Sequence, residues 1–351
     1  MKYLLRKHSF SIAFLSLFLA YVFTTGGGND GIERMNGFTM GTRYQFQLVD
    51  LPAEQDRQEV AESINGLLAR LDREIFSTYA AESELSRFNR TAPGTEFAVS
   101  REMMEVVQLA LEISELTGGA FDVTVGPLVN LWGFGSDRAS FDTVPEAERI
   151  EALLEEVNYR FLRLNAEQGT LSKRADVHID LSGIAKGYAV DEVALYFESL
   201  GVHDYFLEIG GELRIKGFKP GNESWVPAIE TPGDAVSEVY RVLHMGGESI
   251  AVAGSGDYRN YFEQDGVRYS HEIDPRTGYP ARHSLAAVYV ISDSAARADA
   301  LSTAFMVMGR EEGMALAQQR GIAVYFISRD GEGGFSDDVT RPFRDYLTER
   351  G

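Results

Sequence analysis

Apolar and polar residues alternate one by one along RYQFQLVD (43–50), the period of a strand with one buried face. Over 54–75 the period lengthens: Val60, Ile64, Leu67, Leu68, Leu71 and Ile75 recur at helical spacing and share one side of a helix. A second helix is expected from Ser100, whose hydroxyl suits an N-cap, to Leu116, with Gly118–Gly119 as its stop. A third follows Pro145, a residue suited to a first helical turn. YFLEIGGELRIKG (205–217) reads as two alternating strands about Gly210–Gly211, a hairpin. More strands are expected near 249–253, 267–273, 286–292 and 322–328, with a helix at about 294–308. VHID (177–180) alternates like the end of a strand. Ser182–Gly183 make a turn, and Ile184, Tyr188, Val193, Tyr196, Phe197 and Leu200 line a helix closed by Gly201. Hairpin-joined strands outnumber strand–helix–strand crossovers. The fold class is therefore α/β of the mixed (α+β) kind, with largely antiparallel sheets rather than a doubly wound one.

The first residues stand apart. MKYLLRKHSFSIAFLSLFLAYVFTTGGG places Lys2, Arg6 and Lys7 ahead of an apolar run from Phe10 to Phe23 and then small residues, the plan of an export signal. The run is slightly short for a spanning helix, so a retained anchor is the alternative. Residues 1–25 are thus expected to address the chain, and residues 32–345 to form the folded domain. The chain has no cysteine, which excludes disulfides, thiolate metal sites and the lipoprotein type of anchor. With 33 lysines and arginines against 53 aspartates and glutamates, the formal charge of -20 argues against an extended nucleic-acid surface. The six histidines show no HExxH spacing, so oxygen atoms are the expected ligands of any metal. No GxGxxG opens a helix after a strand, and P-loop spacing and a GxSxG elbow are absent.

Against that background HIDLSGIAKGYAVD (178–191) stands out. A helix start offers free N–H groups and the positive end of the dipole, and Lys186 adds a full charge that opposes the dipole, so helix stability does not account for it. Asp180 could orient a polar ligand group or a metal-bound water. Taken alone, the stretch reads equally as an N-terminal cap beside an exposed, solvated lysine. TGGAFDVTVGPLVNLWGFG (117–135) sets Phe121–Asp122, Trp132 and Phe134 among glycines, as a loop around a flat ring would. HEIDPRTGYP (271–280) is a polar turn with Arg276 exposed. In ADALSTAFMVMG (298–309), Asp299 and Thr303 share one face of an apolar helix, a costly pair to bury unless something binds them.

Together with MGT (40–42), STYAAESELSRFN (77–89), EIGGELRIKG (208–217) and AVAGSGDYRNYF (251–262), these motifs resemble, in order across residues 38–330, those of the ApbE family, the FAD:protein FMN transferases. The resemblance implies a mixed α/β fold related to the T-fold. It also implies an exported enzyme, periplasmic or on the outer face of the inner membrane, that uses FAD and magnesium. The FMN half of FAD would pass to a threonine or serine hydroxyl of a partner protein, with AMP leaving, and the partners would be subunits of electron-transport or ion-pumping membrane complexes. Carried over residue by residue, the nucleotide contacts fall on Met40, Tyr79, Ala120, Phe121, Asp122, Asp180, Lys186 and Ile273. The metal ligands fall on Gly183, through its carbonyl, and on Asp299 and Thr303. His271 or a magnesium-held carboxylate, Asp299 foremost, would serve as the base, and Lys186, Arg276, the helix start and the metal would draw in the pyrophosphate. Two other classes stay open: a hydrolase splitting FAD into FMN and AMP, and a module that binds FAD without turnover.

Overall fold

The computed structural model describes residues 31–135, 143–233, 238–258 and 260–347, so the segment 1–25 read as an export signal lies outside the described residues. The frame is an eight-stranded sheet whose spatial order follows chain order. Its strands are β1 (Ile32–Thr39), β2 (Thr42–Val49), β3 (Asp204–Ile209), β4 (Glu212–Lys216), β5 (Ile250–Gly256), β6 (Leu285–Ser292), β7 (Ala323–Arg329) and β8 (Phe335–Val339). Each neighbouring pair in it is antiparallel. The hairpin read at 205–217 forms with Gly210 and Gly211 both at positive φ, and Tyr205 opposite Lys216.

Both faces of the sheet are covered, which explains the near-continuous apolar runs of β6 and β7. Val324 and Phe326 point to a core shared with the helices, whereas Tyr325 and Ile327 point to a second core with Trp225, Leu243, Met245 and Phe343. The longest helices among the described residues are α1 (Arg57–Ala69), α2 (Arg101–Leu116), α3 (Ala185–Ser199) and α4 (Ala295–Arg320). Helix α1 starts on an Asp56 cap and passes into a π-helical turn over Arg70–Ile75, and α2 starts on the expected Ser100 cap. Pro145 stays outside its helix, which runs over Ala147–Leu154 behind Glu146.

Two expectations need correction. VHID is extended but belongs to no strand. In place of a partner strand, side chains hold it: Asn89 donates to the Ile179 carbonyl and accepts from its N–H, and buried Lys173 donates to the Val177 carbonyl. The helix expected at 294–308 continues to Arg320, through a break at Gly309 with φ 78. There the His283 ring donates from Nε2 to the Met306 carbonyl at 2.7 Å.

Candidate active site

The corner rises where the extended stretch turns into α3. Asp180 ties back to the glycine-rich loop by its N–H on the Val123 carbonyl, 2.7 Å, and accepts from Ser182 N–H at 2.8 Å. Ile184 takes the N-cap position and has no side chain able to cap it. The group that meets this helix start comes from α4 instead: Asp299 Oδ2 accepts the Gly187 N–H at 3.0 Å. The reading of the stretch as a self-contained cap is thereby replaced by a joint between two helices.

Close approach makes that joint. A Cβ on Gly187 would lie 2.3 Å from the Ala295 carbonyl oxygen, so only glycine fits between α3 and α4. Asp191, one turn along α3, accepts from Ala295 N–H, Ala296 N–H and the Ser294 hydroxyl at 2.9–3.0 Å, capping α4 from the neighbouring helix.

Lys186 is not the solvated lysine that the first-turn position suggested. Its ammonium stands 3.2 Å from Glu212 Oε1 and 3.7 Å from Asp299 Oδ2, and both carboxylates are almost fully buried. Burial alone would lower the lysine, yet Asp299 and Glu212 hold it above its usual range. Burial raises both carboxyls, Lys186 pulling the other way. Buried Glu272 is raised for the same reason and lies in the field of His271, Lys186 and Asp299.

Two of the candidate metal ligands, Gly183 and Thr303, come together. A Cβ at Gly183 would sit 3.4 Å from Thr303 Oγ1 and 3.2 Å from the Phe121 ring, which brings turn, glycine-rich loop and α4 to one point. Ser255 Oγ on β5 adds a hydroxyl 3.3 Å from Thr303 Oγ1. Among the described residues no three His, Cys, Asp or Glu side chains gather as a metal site. The donors present are one carboxylate, hydroxyls and a main-chain carbonyl. That set fits a hard cation which completes its shell from water and phosphate oxygens, as magnesium does.

The other candidates stand on separate elements. Met40 occupies the β1–β2 turn at φ 48, its N–H held by Asp72 Oδ2 at 3.1 Å. Tyr79 is 73% exposed, a large ring open to solvent. Ala120 and Phe121 are buried. The Asp122 side chain is spent on its own loop: it accepts from Thr124 N–H, Thr124 hydroxyl and Tyr159 N–H at 2.6–2.8 Å. These bonds shape the loop beside Phe121. Ile273 is buried and bridges Pro280 across the polar turn. His271 holds Nδ1 3.1 Å from the Asn260 carbonyl and Nε2 3.5 Å from Glu272 Oε1, with Phe134 edge-on to its ring. Arg276 is exposed as expected, but Asp274 and Glu312 both chelate its guanidinium, so its charge is balanced locally.

Sequence reasoning missed Glu212, Asp191 and Ser255. Glu212 carried a signal, a carboxylate directly after a glycine pair and facing inward on an alternating strand; the other two had none without the packing of α3 on α4.

Residues 40–326 match the ApbE family. A FAD:protein FMN transferase of Vibrio cholerae is 43% identical over 90% of this chain and 92% of its own length, and one of Haemophilus influenzae is 38% identical over 85% and 87%. Among solved structures, the flavin transferase ApbE of Vibrio cholerae superposes with a TM-score of 0.81 at 41% identity, covering 90% of this chain and 98% of that one. The apo flavinyl transferase ApbE of Pseudomonas stutzeri gives 0.82 at 38% identity, covering 92% and 98%.

Proposed function

The chain belongs to the ApbE family and is a transferase, and on that premise we propose that it moves the FMN half of FAD onto a threonine or serine hydroxyl of a partner protein, with magnesium bound and AMP released. The observation that carries the reading is the approach of Gly183 to Thr303 on α4, the helix whose Asp299 meets Lys186. A hard-oxygen site thus lies next to an ammonium at a helix start, where a pyrophosphate is best received.

When bound, magnesium would neutralise charge building on the pyrophosphate. The chain's own groups have distinct tasks. Lys186 supplies a preorganised cation, kept protonated by Glu212 and Asp299. The stretch from Ile179 to Ser182 is held by Asn89 on the Ile179 main chain, the Val123 carbonyl on Asp180 N–H and the Asp180 carboxylate on Ser182 N–H, and a fixed pyrophosphate keeps attacking and leaving oxygens in line. Tyr79 offers open aromatic surface to the flavin nucleotide. His271, exposed on one side and hydrogen-bonded through Nδ1, is placed to take the hydroxyl proton. The -20 charge fits a role without nucleic acid. The charged-then-apolar start supports export to the periplasm or the outer face of the inner membrane, where electron-transport or ion-pumping complexes would present the acceptor.

The test follows AMP, FMN and peptide mass together when the chain meets FAD, magnesium and a threonine-bearing peptide. A transferase yields flavinyl-peptide and AMP in step; a hydrolase yields FMN and AMP but no modified peptide; a binding module yields no AMP. Asp299→Asn keeps the size and removes the anionic ligand, so transfer and AMP release should fall together by at least roughly a hundredfold, the scale of losing one charge-stabilising group. Undiminished transfer by that variant in a chelator would refute the metal's place in the reaction.

A further inference from the structure

The acids near Lys186 find their cations, with one exception. Asp299 and Glu212 share Lys186 at 3.7 and 3.2 Å. Asp257, just past the end of β5, accepts from both arms of the Arg329 guanidinium at 2.6 and 2.9 Å. Glu272 is buried and lies in the field of Asp257, Lys186 and Asp299. Among the described residues its carboxylate has one charged or polar side chain within reach, the His271 ring, with Nε2 3.5 Å from Oε1.

Both partners are fixed from behind. The Asn260 carbonyl accepts the His271 main-chain N–H and stands 3.1 Å from Nδ1, while Phe134 meets the ring edge-on. The Glu272 carbonyl accepts Ala281 N–H at 2.8 Å, and Ile273 beside it bridges Pro280. A carbonyl can accept but not donate, so Nδ1 carries the ring's proton and Nε2 keeps the lone pair. That lone pair faces a carboxylate, two acceptors with no hydrogen between them. One added proton turns the arrangement into an ion pair, imidazolium beside carboxylate. Burial pushes the Glu272 carboxyl up and the His271 charge draws it back, so a charged ring offsets the cost of keeping this carboxylate in the interior.

We propose that Glu272 is the positioning residue of the base: it orients His271 and balances the imidazolium that forms when Nε2 takes the proton of the attacking hydroxyl. The inference rests on the transferase reading, with His271 as its base. In the transfer the threonine or serine oxygen bonds to the phosphorus of the FMN half, and the bond from that phosphorus to the AMP oxygen breaks, AMP leaving with its electron pair. The hydroxyl proton passes to Nε2, and Glu272 neither gains nor loses one. The ring side chain is 34% exposed, so Nε2 stays open to an incoming hydroxyl on the side away from the buried carboxylate.

The experiment uses the chain and its Glu272→Gln and Glu272→Asp variants, with FAD, magnesium and a threonine-bearing peptide. Transfer is read by peptide mass, and the protonation of the His271 ring by nitrogen NMR of histidine-labelled protein without FAD, His271→Gln identifying the signals. Glu272→Gln keeps the size and removes the charge, so kcat should fall by roughly tenfold or more, a share of what a positioned base supplies, with KM for FAD within about twofold. Glu272→Asp should restore part of the loss. In the NMR series the ring of Glu272→Gln should give up its second proton at lower pH than the parent's, because the charge that favoured the imidazolium is gone. Coincident curves overturn the proposal, as does a fall in kcat matched by an equal rise in KM for FAD, the mark of a merely structural acid. A parent that modifies no peptide refutes the transferase reading; the NMR comparison needs no turnover, and there separated curves uphold the His271–Glu272 pair and coincident ones overturn it.

Discussion

At the residue scale, Lys186 shows how position in sequence and position in space diverge. A lysine in a first helical turn reads as exposed, and its loss as nearly neutral to stability. With Glu212 and Asp299 buried against it, the opposite is expected: Lys186→Met leaves two buried carboxylates without a cation. Stability should fall by about 3 kcal/mol at alkaline pH, the scale of breaking a buried pair. The deficit should shrink in mild acid. Both carboxyls already lie above the usual carboxylate range, so the folded state binds more protons than the unfolded one there, and stability falls as pH rises through that window. Denaturant unfolding of parent and variant on either side of neutrality checks this; a deficit independent of pH would show that the carboxylates are not the cause. FAD affinity should drop in parallel by about 1.5–3 kcal/mol, the worth of a charged hydrogen bond.

At the element scale, the joint between α3 and α4 sets the geometry of the corner, and Gly187 and Asp191 set the joint. Gly187→Ala forces a methyl against the Ala295 carbonyl, so the helices must part, at a cost of about 1–3 kcal/mol as overpacking usually brings. Asp191→Ala strips α4 of a cap provided by its neighbour, at about 0.5–2 kcal/mol. Both should raise the magnesium concentration needed for half-maximal rate more than they raise KM for FAD, because they shift Asp299 and Thr303 relative to Gly183. Equal effects on the two constants would indicate general loosening. These elements also mark what the sequence made legible. Local signals were read correctly: the Gly210–Gly211 hairpin, the Ser100 cap and the one-turn spacing of Asp299 and Thr303 each depend on residues a few positions apart. Non-local facts were not. VHID has the alternation of a strand, but a strand is made by its partner, and here Asn89 and Lys173 stand in for one. The break at Gly309 hid the length of α4, since a positive-φ glycine is a stop signal wherever His283 is not there to take up the freed carbonyl.

At the scale of the whole molecule, charge decides how FAD arrives. A chain of formal charge -20 repels a dinucleotide pyrophosphate at long range. The cations expected to offset this are compensated in place: Lys186 by Glu212 and Asp299, Arg276 by Asp274 and Glu312. Without a divalent cation the field at the corner is thus weakly attractive at best, and association should be slowed by the rest of the molecule. Salt screens that repulsion over a Debye length of about 10 Å at 0.1 M, so the on-rate of FAD to the metal-free chain should rise with ionic strength. Magnesium bound at the corner as proposed would add two charges where the pyrophosphate would land, so in its presence the rise should flatten or reverse. Stopped-flow quenching of flavin fluorescence at low and high salt, with magnesium and with a chelator, reads both slopes. Identical slopes with and without the metal would mean that magnesium does not enter the corner ahead of FAD. The same rise appearing in Lys186→Met with magnesium present would mean that the lysine, more than the metal, supplies the local field.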